Sequence, residues 1–152
     1  ELYRSLRAAG KKLPVHFFSS ATMAPQLTGT WKNRDALRET GKASNSEQKI
    51  LGLLSYIDDL EFVKQIMPGM RRDMPLLMSY EYQHAEPLSC PISVFSAIED
   101  EVTLVEEMTA WQEQTTQEFQ QFLVHGDHWF VSRNKEFIGE KIALAVAQWL
   151  SK

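Results

Sequence analysis

Two short apolar runs in the second half of the chain carry the strongest structural signal in the sequence. Residues 92–97 and 119–124 are rich in β-branched and aromatic side chains, as buried β-strands are. Residues 103–116 between them have helical spacing. The apolar face of this helix is formed by Val105, Met108 and Trp111. A strand, a covering helix and a second strand form a right-handed crossover, so the pattern predicts an α/β fold with a mostly parallel sheet flanked by helices.

The pattern predicts further elements on either side of this unit. Residues 1–9 have helical spacing, with Leu2 and Leu6 one turn apart, but no N-cap signal of their own. Residues 13–20 are predicted to form another buried strand. Near the C-terminus, Asn134 is predicted to cap a final helix. The buried stripe of that helix is expected to be Ile138, Ile142, Ala145, Val146 and Trp149.

The middle of the chain interrupts this alternation of predicted strands and helices. Residues 26–45 are polar and broken by glycines, which is typical of a loop. From Ser46 the spacing becomes helical. A second helical piece over residues 59–67 is predicted to end at Pro68-Gly69, because proline disfavours the helical conformation before it.

Composition excludes several classes of protein. The 152 residues suit one domain with a real core. The net charge of −4 comes from scattered basic residues against a larger number of acidic ones, which argues against a nucleic-acid partner. No apolar run reaches the roughly 18 residues of a membrane span. A single cysteine, Cys90, is expected to be a buried small hydrophobe, and its inability to form an internal disulfide favours a cytoplasmic location.

Asp100 and His128 each follow a predicted strand. In open parallel sheets, functional residues collect beyond the carboxyl ends of the strands. A carboxylate that accepts a hydrogen bond from one imidazole nitrogen leaves the other nitrogen free to take a proton from a nucleophile. An acidic loop usually only faces solvent, however, and Glu99 and Glu101 are equally acidic neighbours. The residues alone therefore leave both interpretations open.

This segment resembles the C-terminal part of a type II thioesterase, the discrete α/β-hydrolase enzyme that accompanies polyketide and nonribosomal peptide synthases. The family's Pro-led strand, acidic loop, Trp helix, Thr segment and His turn correspond to Cys90-Pro91-Ile92, Asp100, Ala110-Trp111, Thr115-Thr116 and Gly126-Asp127-His128-Trp129-Phe130. The interval from Asp100 to Trp111 matches the family interval, which selects Asp100 from its acidic neighbours. The chain departs from the family where Ala97-Ile98-Glu99 replaces the usual Gly and Asp residues, and where Asp127 replaces a Gly.

The resemblance implies a Ser-Asp-His triad in which Asp100 and His128 are two of the three members. The family's Gly-His-Ser-Met-Gly turn, which holds the nucleophile, would lie about two helical turns before Glu1. Residues 1–152 are therefore expected to be the C-terminal part of a single α/β-hydrolase domain, with a helical lid at about residues 26–70. The early strands are expected in a separate chain or in residues outside this numbering. Ser19 and Ser20 do not sit in a Gly-x-Ser-x-Gly turn.

The resemblance also implies a substrate and partners. The substrate would be an acyl thioester on the phosphopantetheine arm of an acyl or peptidyl carrier protein, and the enzyme would need no cofactor or metal of its own. Met67, Met70, Met74 and Met78 either fill gaps between helices or line an adaptable acyl pocket. Met23 and Trp129 are further candidates for contact with the substrate.

Two alternatives to this function remain at the level of sequence. One is a non-catalytic fragment of a thioesterase that binds a carrier protein or completes another subunit. The other is a hydrolase of the same fold that acts on an ester or on free acyl-coenzyme A. A polypeptide of these residues alone is expected to lack thioesterase activity, because it holds the base and its orienting carboxylate but no nucleophile.

Overall fold

A computed structural model describes residues 1–28 and 60–151 of the chain, apart from the side chains of Met74 and Met78. The chain divides into two compact units, Glu1–Ala24 with Ala85–Lys152, and Pro25–His84. The predicted loop and the first helix of the predicted lid fall largely in residues 29–59, which lie outside the described residues. The assignment of a lid over about residues 26–70 therefore stays a prediction.

The first unit contains a parallel sheet. Its strands in the described residues are β1 (Phe17–Ser20), β2 (Ile92–Ala97) and β3 (Phe119–Val124), in the order β1-β2-β3. Phe17 is in register with Ile92, which is in register with Phe119. The bounds predicted for the second and third strands are therefore correct, and the predicted α/β fold with a parallel sheet is confirmed.

Helices occur in both units of the described part of the chain. They are α1 (Leu2–Ala8), α2 (Leu60–Ser79, in the second unit), α3 (Val105–Thr109), α4 (Phe130–Arg133) and α5 (Lys135–Leu150), with 3-10 turns at Pro25–Leu27 and Ala110–Gln114. All six residues of β2 are buried. Because successive side chains of a strand point to opposite faces, β2 supplies both halves of the core.

The two halves of the core use different helices. Ile92 and Val94 of β2 pack in a cluster with Tyr3 of α1, Met108 of α3 and Trp111. Phe95 and Ala97 belong to a second cluster, which contains Val124, Phe130 of α4 and Ile138 of α5. The sheet is therefore covered on both sides at β2, which is buried along its whole length.

The predicted helix over residues 103–116 is partly wrong. The α-helical part ends at Thr109 and continues as the 3-10 turn Ala110–Gln114. The predicted apolar face is nevertheless present, since Met108 is fully buried and Trp111 is 9% exposed. The indole N–H of Trp111 donates to the carbonyl oxygen of Thr22 at 2.8 Å, and the tighter winding keeps Trp111 on the buried side, three residues after Met108.

The helix predicted over residues 1–9 is present as α1, whereas the predicted first strand needs correction. The first strand begins at Phe17, where the ladder with β2 starts, and Val15 before it is 36% exposed instead of buried. In α1 the buried side chain is Tyr3, whereas Leu2 is 74% exposed. Tyr3 is held there because its hydroxyl lies 2.7 Å from the Ser89 hydroxyl and accepts from the Ser89 N–H.

The helical segment of the second unit is longer than predicted. Helix α2 continues through Pro68 and Pro75 to Ser79, so the predicted end at Pro68-Gly69 is wrong. A proline inside a helix removes one backbone hydrogen bond and costs about 3 kcal/mol. The flanking Met, Leu, Lys and Arg residues have high helix propensity, which is consistent with a helix that tolerates both prolines.

The final helix is present, but its predicted stripe is wrong in the second half. Ile138 is buried, whereas Val146 and Trp149 are 45% and 43% exposed. A cavity of about 360 Å³ separates this half of α5 from the amino ends of the strands, with Trp149 on one side and Ser93 on the other. Asn134 does not cap the helix with its side chain; its amide donates instead to the Phe130 carbonyl oxygen at 2.9 Å.

Candidate active site

Asp100 is held rigidly in the turn that follows β2. One of its carboxylate oxygens, Oδ1, accepts the backbone N–H groups of Val102 at 2.8 Å and Thr103 at 2.9 Å. Short acidic side chains that bond to nearby backbone N–H groups in this way stabilise turns. The carboxyl group is 1% exposed, so its orientation is fixed by the protein and not by solvent.

Thr103 also links this turn to the end of β1. Its hydroxyl donates to the carbonyl oxygen of Ala21 at 3.2 Å. Ala21 has a positive φ of 48°, a conformation that is uncommon for residues with a Cβ. The end of each of the first two strands is therefore tied to the carboxylate.

His128 reaches the same carboxylate from the turn that follows β3. Its Nδ1 lies 3.0 Å from Asp100 Oδ2 and 3.2 Å from Oδ1, and its side chain is 17% exposed. Since an ionised carboxylate only accepts hydrogen bonds, the Nδ1–H donates. The other ring nitrogen, Nε2, is then the one that can accept a proton. The edge of the Trp129 ring meets the His128 ring at a centroid distance of 5.8 Å.

Asp100 is the one of the three successive acidic residues that bonds to His128. Glu99 lies 2.9 Å from the ring nitrogen Nδ1 of His125 instead, and Glu101 is exposed. The two turns therefore contain two parallel acid–imidazole contacts. In the sequence, Glu99 is only a competitor of Asp100, and no local pattern indicates its contact with His125.

Gly126 shapes the turn that carries His128. Its φ is +132°, and a Cβ at this position would lie 3.1 Å from the Cβ of Phe130. Residues other than glycine rarely adopt such a φ. The position thus requires glycine both for its backbone conformation and for the close approach of Phe130.

Asp127, which replaces a family glycine, stabilises the start of α4. Its Oδ1 accepts the Trp129 N–H at 2.9 Å, and its Oδ2 lies 3.0 Å from the Arg133 guanidinium. The Trp129 N–H is the main reason that the pKa of Asp127 is lowered, and Arg133 adds to it. Asp127 therefore forms a local Asx turn that holds Trp129 beside His128.

The predicted substrate-contacting residues are dispersed. Trp129 lies against His128, and Met23 is buried in the same unit. Met67 and Met70 are half-buried on α2 in the second unit. Met74 lies on α2, but its side chain is outside the described residues, as is that of Met78. Contact of these residues with a substrate stays a prediction.

The remaining candidates in the described residues have structural surroundings. His16 lies 2.9 Å from the Ser93 hydroxyl and stacks on Phe18, and burial lowers its pKa. His84 is exposed. Cys90 is buried, as predicted. No group of three or more metal-ligating side chains occurs in the described ranges. None of the described helices is long and apolar enough to cross a bilayer.

Comparison with known proteins finds relatives that are similar to this chain in sequence and in fold. No family model matches the chain. A gramicidin S biosynthesis protein of Aneurinibacillus migulanus is 31% identical over 97% of this chain and 59% of its own length. A solved thioesterase of the prodiginine pathway of Streptomyces coelicolor is 27% identical over 86% of this chain and 49% of its own, with a TM-score of 0.67.

A second solved structure supports the fold. The type II thioesterase of the borrelidin cluster matches 95% of this chain and 58% of its own, with a TM-score of 0.71 at 24% identity. The chain thus spans between about half and three fifths of the length of these proteins. By sequence and by fold, the chain is similar to type II thioesterases of nonribosomal peptide and polyketide pathways, and its parallel sheet flanked by helices has the α/β-hydrolase fold of these structures.

Proposed function

We propose that these residues belong to a serine thioesterase that hydrolyses acyl thioesters from the phosphopantetheine arms of carrier proteins. The observation that carries the proposal is the 3.0 Å contact between His128 Nδ1 and the buried Asp100 carboxylate. This contact supplies two of the three parts of a catalytic triad. Similarity to proteins of nonribosomal peptide and polyketide pathways supports the choice of substrate.

In the proposed reaction, a serine outside these residues attacks the carbonyl carbon of the thioester. His128 Nε2 takes the serine proton, while Asp100 holds the ring and stabilises its positive charge. The carbon–sulfur bond then breaks, and the His128 proton passes to the leaving thiolate. Water attacks the acyl-serine with His128 again as base, which releases the acid and restores the serine hydroxyl.

The remaining parts of the site would come from outside the described residues. Backbone N–H groups beside the serine and on an upstream loop would bind the oxyanion, as in other enzymes with this strand–turn–helix arrangement. We propose carrier-protein domains of a synthase as partners, no cofactor beyond the phosphopantetheine of the substrate, and a cytoplasmic location. The biological role would be the removal of stalled or wrong acyl groups.

The test uses the natural polypeptide, whose intact mass shows whether it exceeds the 17.5 kDa of these residues. Hydrolysis of an acyl-carrier thioester is measured for wild type, His128→Ala, Asp100→Asn and the exposed-loop control His84→Ala. We expect the first two variants to lose about 10⁴-fold in kcat and the control to be unchanged. Carrier binding is measured in parallel by calorimetry.

The alternatives give different results in the same experiment. A non-catalytic module would bind the carrier in all variants and show no turnover that depends on His128. An esterase or an acyl-coenzyme A hydrolase would lose activity in both variants but prefer the simpler substrate to the carrier-bound one. Turnover of the carrier thioester that survives His128→Ala would contradict the proposal.

A further inference from the structure

The pairing between β2 and β3 continues beyond the strands into the two turns that carry the candidate catalytic residues. The N–H of Ile98 donates to the Val124 carbonyl oxygen at 3.0 Å. The next residue, Glu99, contacts His125 and Gly126, and Asp100 then contacts His128. Three successive residues after β2 thus bind residues that follow or end β3.

Glu99 makes the middle contact of this series with both carboxylate oxygens. Its Oε2 accepts the Gly126 N–H at 2.6 Å, and its Oε1 lies 2.9 Å from His125 Nδ1. The short distance to the Gly126 N–H is typical of a charge-assisted hydrogen bond. The same contact is the main reason that the pKa of Glu99 is lowered.

The position of the Gly126 backbone matters for the imidazole. Gly126 is two residues before His128, and its φ of +132° belongs to a conformation for which glycine is freest. Asp127, the next residue of the turn, bonds through its carboxylate to the Trp129 N–H and to the Arg133 guanidinium. The contact from Glu99 to the Gly126 N–H joins the start of the same turn to the turn that carries Asp100. Asp100 is the hydrogen-bond partner of His128.

We propose that Glu99 is a positioning residue, whose bond to the Gly126 N–H holds the His128 turn at hydrogen-bonding distance from Asp100. Its role in turnover rests on the proposed function. Glu99 does not touch the reacting atoms in this proposal; it acts through the backbone of the His128 turn. Its contribution is geometric, because a small displacement of a catalytic group has a large effect on rate.

The experiment compares Glu99→Ala, Glu99→Gln and His125→Ala with the control Glu101→Ala, which removes an exposed carboxylate of the same turn. Glutamine retains an oxygen that can accept the Gly126 N–H, and His125→Ala leaves that bond in place. The first readout is the downfield proton resonance of the His128 Nδ1–H, recorded by NMR. The second is kcat and KM for the carrier thioester in the natural polypeptide.

We expect Glu99→Ala to broaden or abolish the His128 Nδ1–H resonance and to lower kcat by about 10-fold or more at unchanged KM. Glu99→Gln, His125→Ala and Glu101→Ala should retain the resonance and most of kcat. The proposal is overturned if Glu99→Ala keeps both the resonance and kcat. It is also overturned if Glu99→Gln or Glu101→Ala loses the resonance and kcat to the same extent as Glu99→Ala. The resonance is readable without turnover, so a failure of the proposed function would be recognised separately.

Discussion

Gly126 is the residue on which the backbone of the His128 turn depends. Its φ of +132° and the 3.1 Å approach of the Phe130 Cβ both exclude a larger side chain. We expect Gly126→Ala to lower the free energy of unfolding by about 1–3 kcal/mol, through backbone strain. Urea denaturation measures the loss.

Gly139 provides a matched control for this substitution. It lies on α5, where an added Cβ would meet nothing within 4 Å. Gly139→Ala should stabilise the protein by up to about 1 kcal/mol, since alanine is the better helix former. Both substitutions restrict the unfolded chain equally, so equal effects of the two would show that the turn does not need glycine.

Ala21 presents the reverse case at the end of β1. It has a φ of 48° although it carries a Cβ. Left-handed backbone costs a residue with a Cβ about 1–2 kcal/mol, while glycine loses more chain entropy on folding. We expect Ala21→Gly to raise the free energy of unfolding by up to about 1 kcal/mol in urea denaturation; a clear loss of stability would contradict this account.

At the scale of elements, β2 is the strand that both halves of the core share. Phe95 is 1% exposed and packs in the second cluster, beside Phe122 at a ring distance of 5.3 Å. We expect Phe95→Ala to cost about 3–5 kcal/mol in urea denaturation, because the substitution leaves a cavity. Leu123→Ala on β3 is the control, since that side chain is 52% exposed and its loss should cost under about 1 kcal/mol.

The turns after β2 and β3 should respond to acid through Glu99. Its pKa is lowered from the ordinary value of 4.5 by the Gly126 N–H and then by His125. The folded state therefore binds this proton less readily than the unfolded state. The contribution of Glu99 to stability is present above pH 4.5 and is lost as the pH falls through the lower pKa of the folded state.

This acid response can be followed at one amide. The NMR shift of the Gly126 N–H should titrate with a midpoint below 4.5, and the titration should vanish in Glu99→Gln. A midpoint at or above 4.5 would show that the bond between Glu99 and Gly126 does not form in solution. A change that persists in Glu99→Gln would assign the titration to another group.

The accuracy with which the sequence predicts these elements depends on whether an element is determined by local residues or by contacts between distant ones. The six-residue runs gave the bounds of β2 and β3, because β-branched and aromatic residues indicate a short strand even where, as in β3, some positions are exposed. The contacts of Glu99 join it to residues 26 and 27 positions away, and no local pattern reports such contacts. Helix α2 shows the limit of local rules, since it continues through two prolines.

The candidate site likewise has features that the sequence predicted and features that it did not. The positions of Asp100 and His128 at neighbouring strand ends followed from the predicted parallel order. The choice of Asp100 among three acidic residues needed the family interval, because periodicity does not distinguish side chains in one turn. The exposed second half of α5 could not be predicted, since exposure there depends on where the sheet ends and the cavity begins.

Across the whole molecule, the candidate chemistry lies at one end of the sheet. Asp100 and His128 follow the carboxyl ends of β2 and β3, whereas the cavity beside α5 lies at the amino ends. In the proposed mechanism, the described residues supply a base, His128, and the group that orients it, Asp100. A triad also needs a nucleophile and an oxyanion hole, and in the resembled family both come from segments before Glu1.

A polypeptide restricted to these 152 residues should therefore fail to hydrolyse acyl-carrier thioesters. Hydrolysis followed by mass spectrometry should match the rate in buffer, and His128→Ala should leave that rate unchanged. If turnover occurs and depends on His128, a nucleophile must lie within these residues. Ser19 and Ser20 on β1 would then be replaced by alanine in turn, because they are the serines at the end of the strand beside β2. Loss of turnover in either variant would move the whole triad inside this chain and overturn the assignment of its serine to another segment.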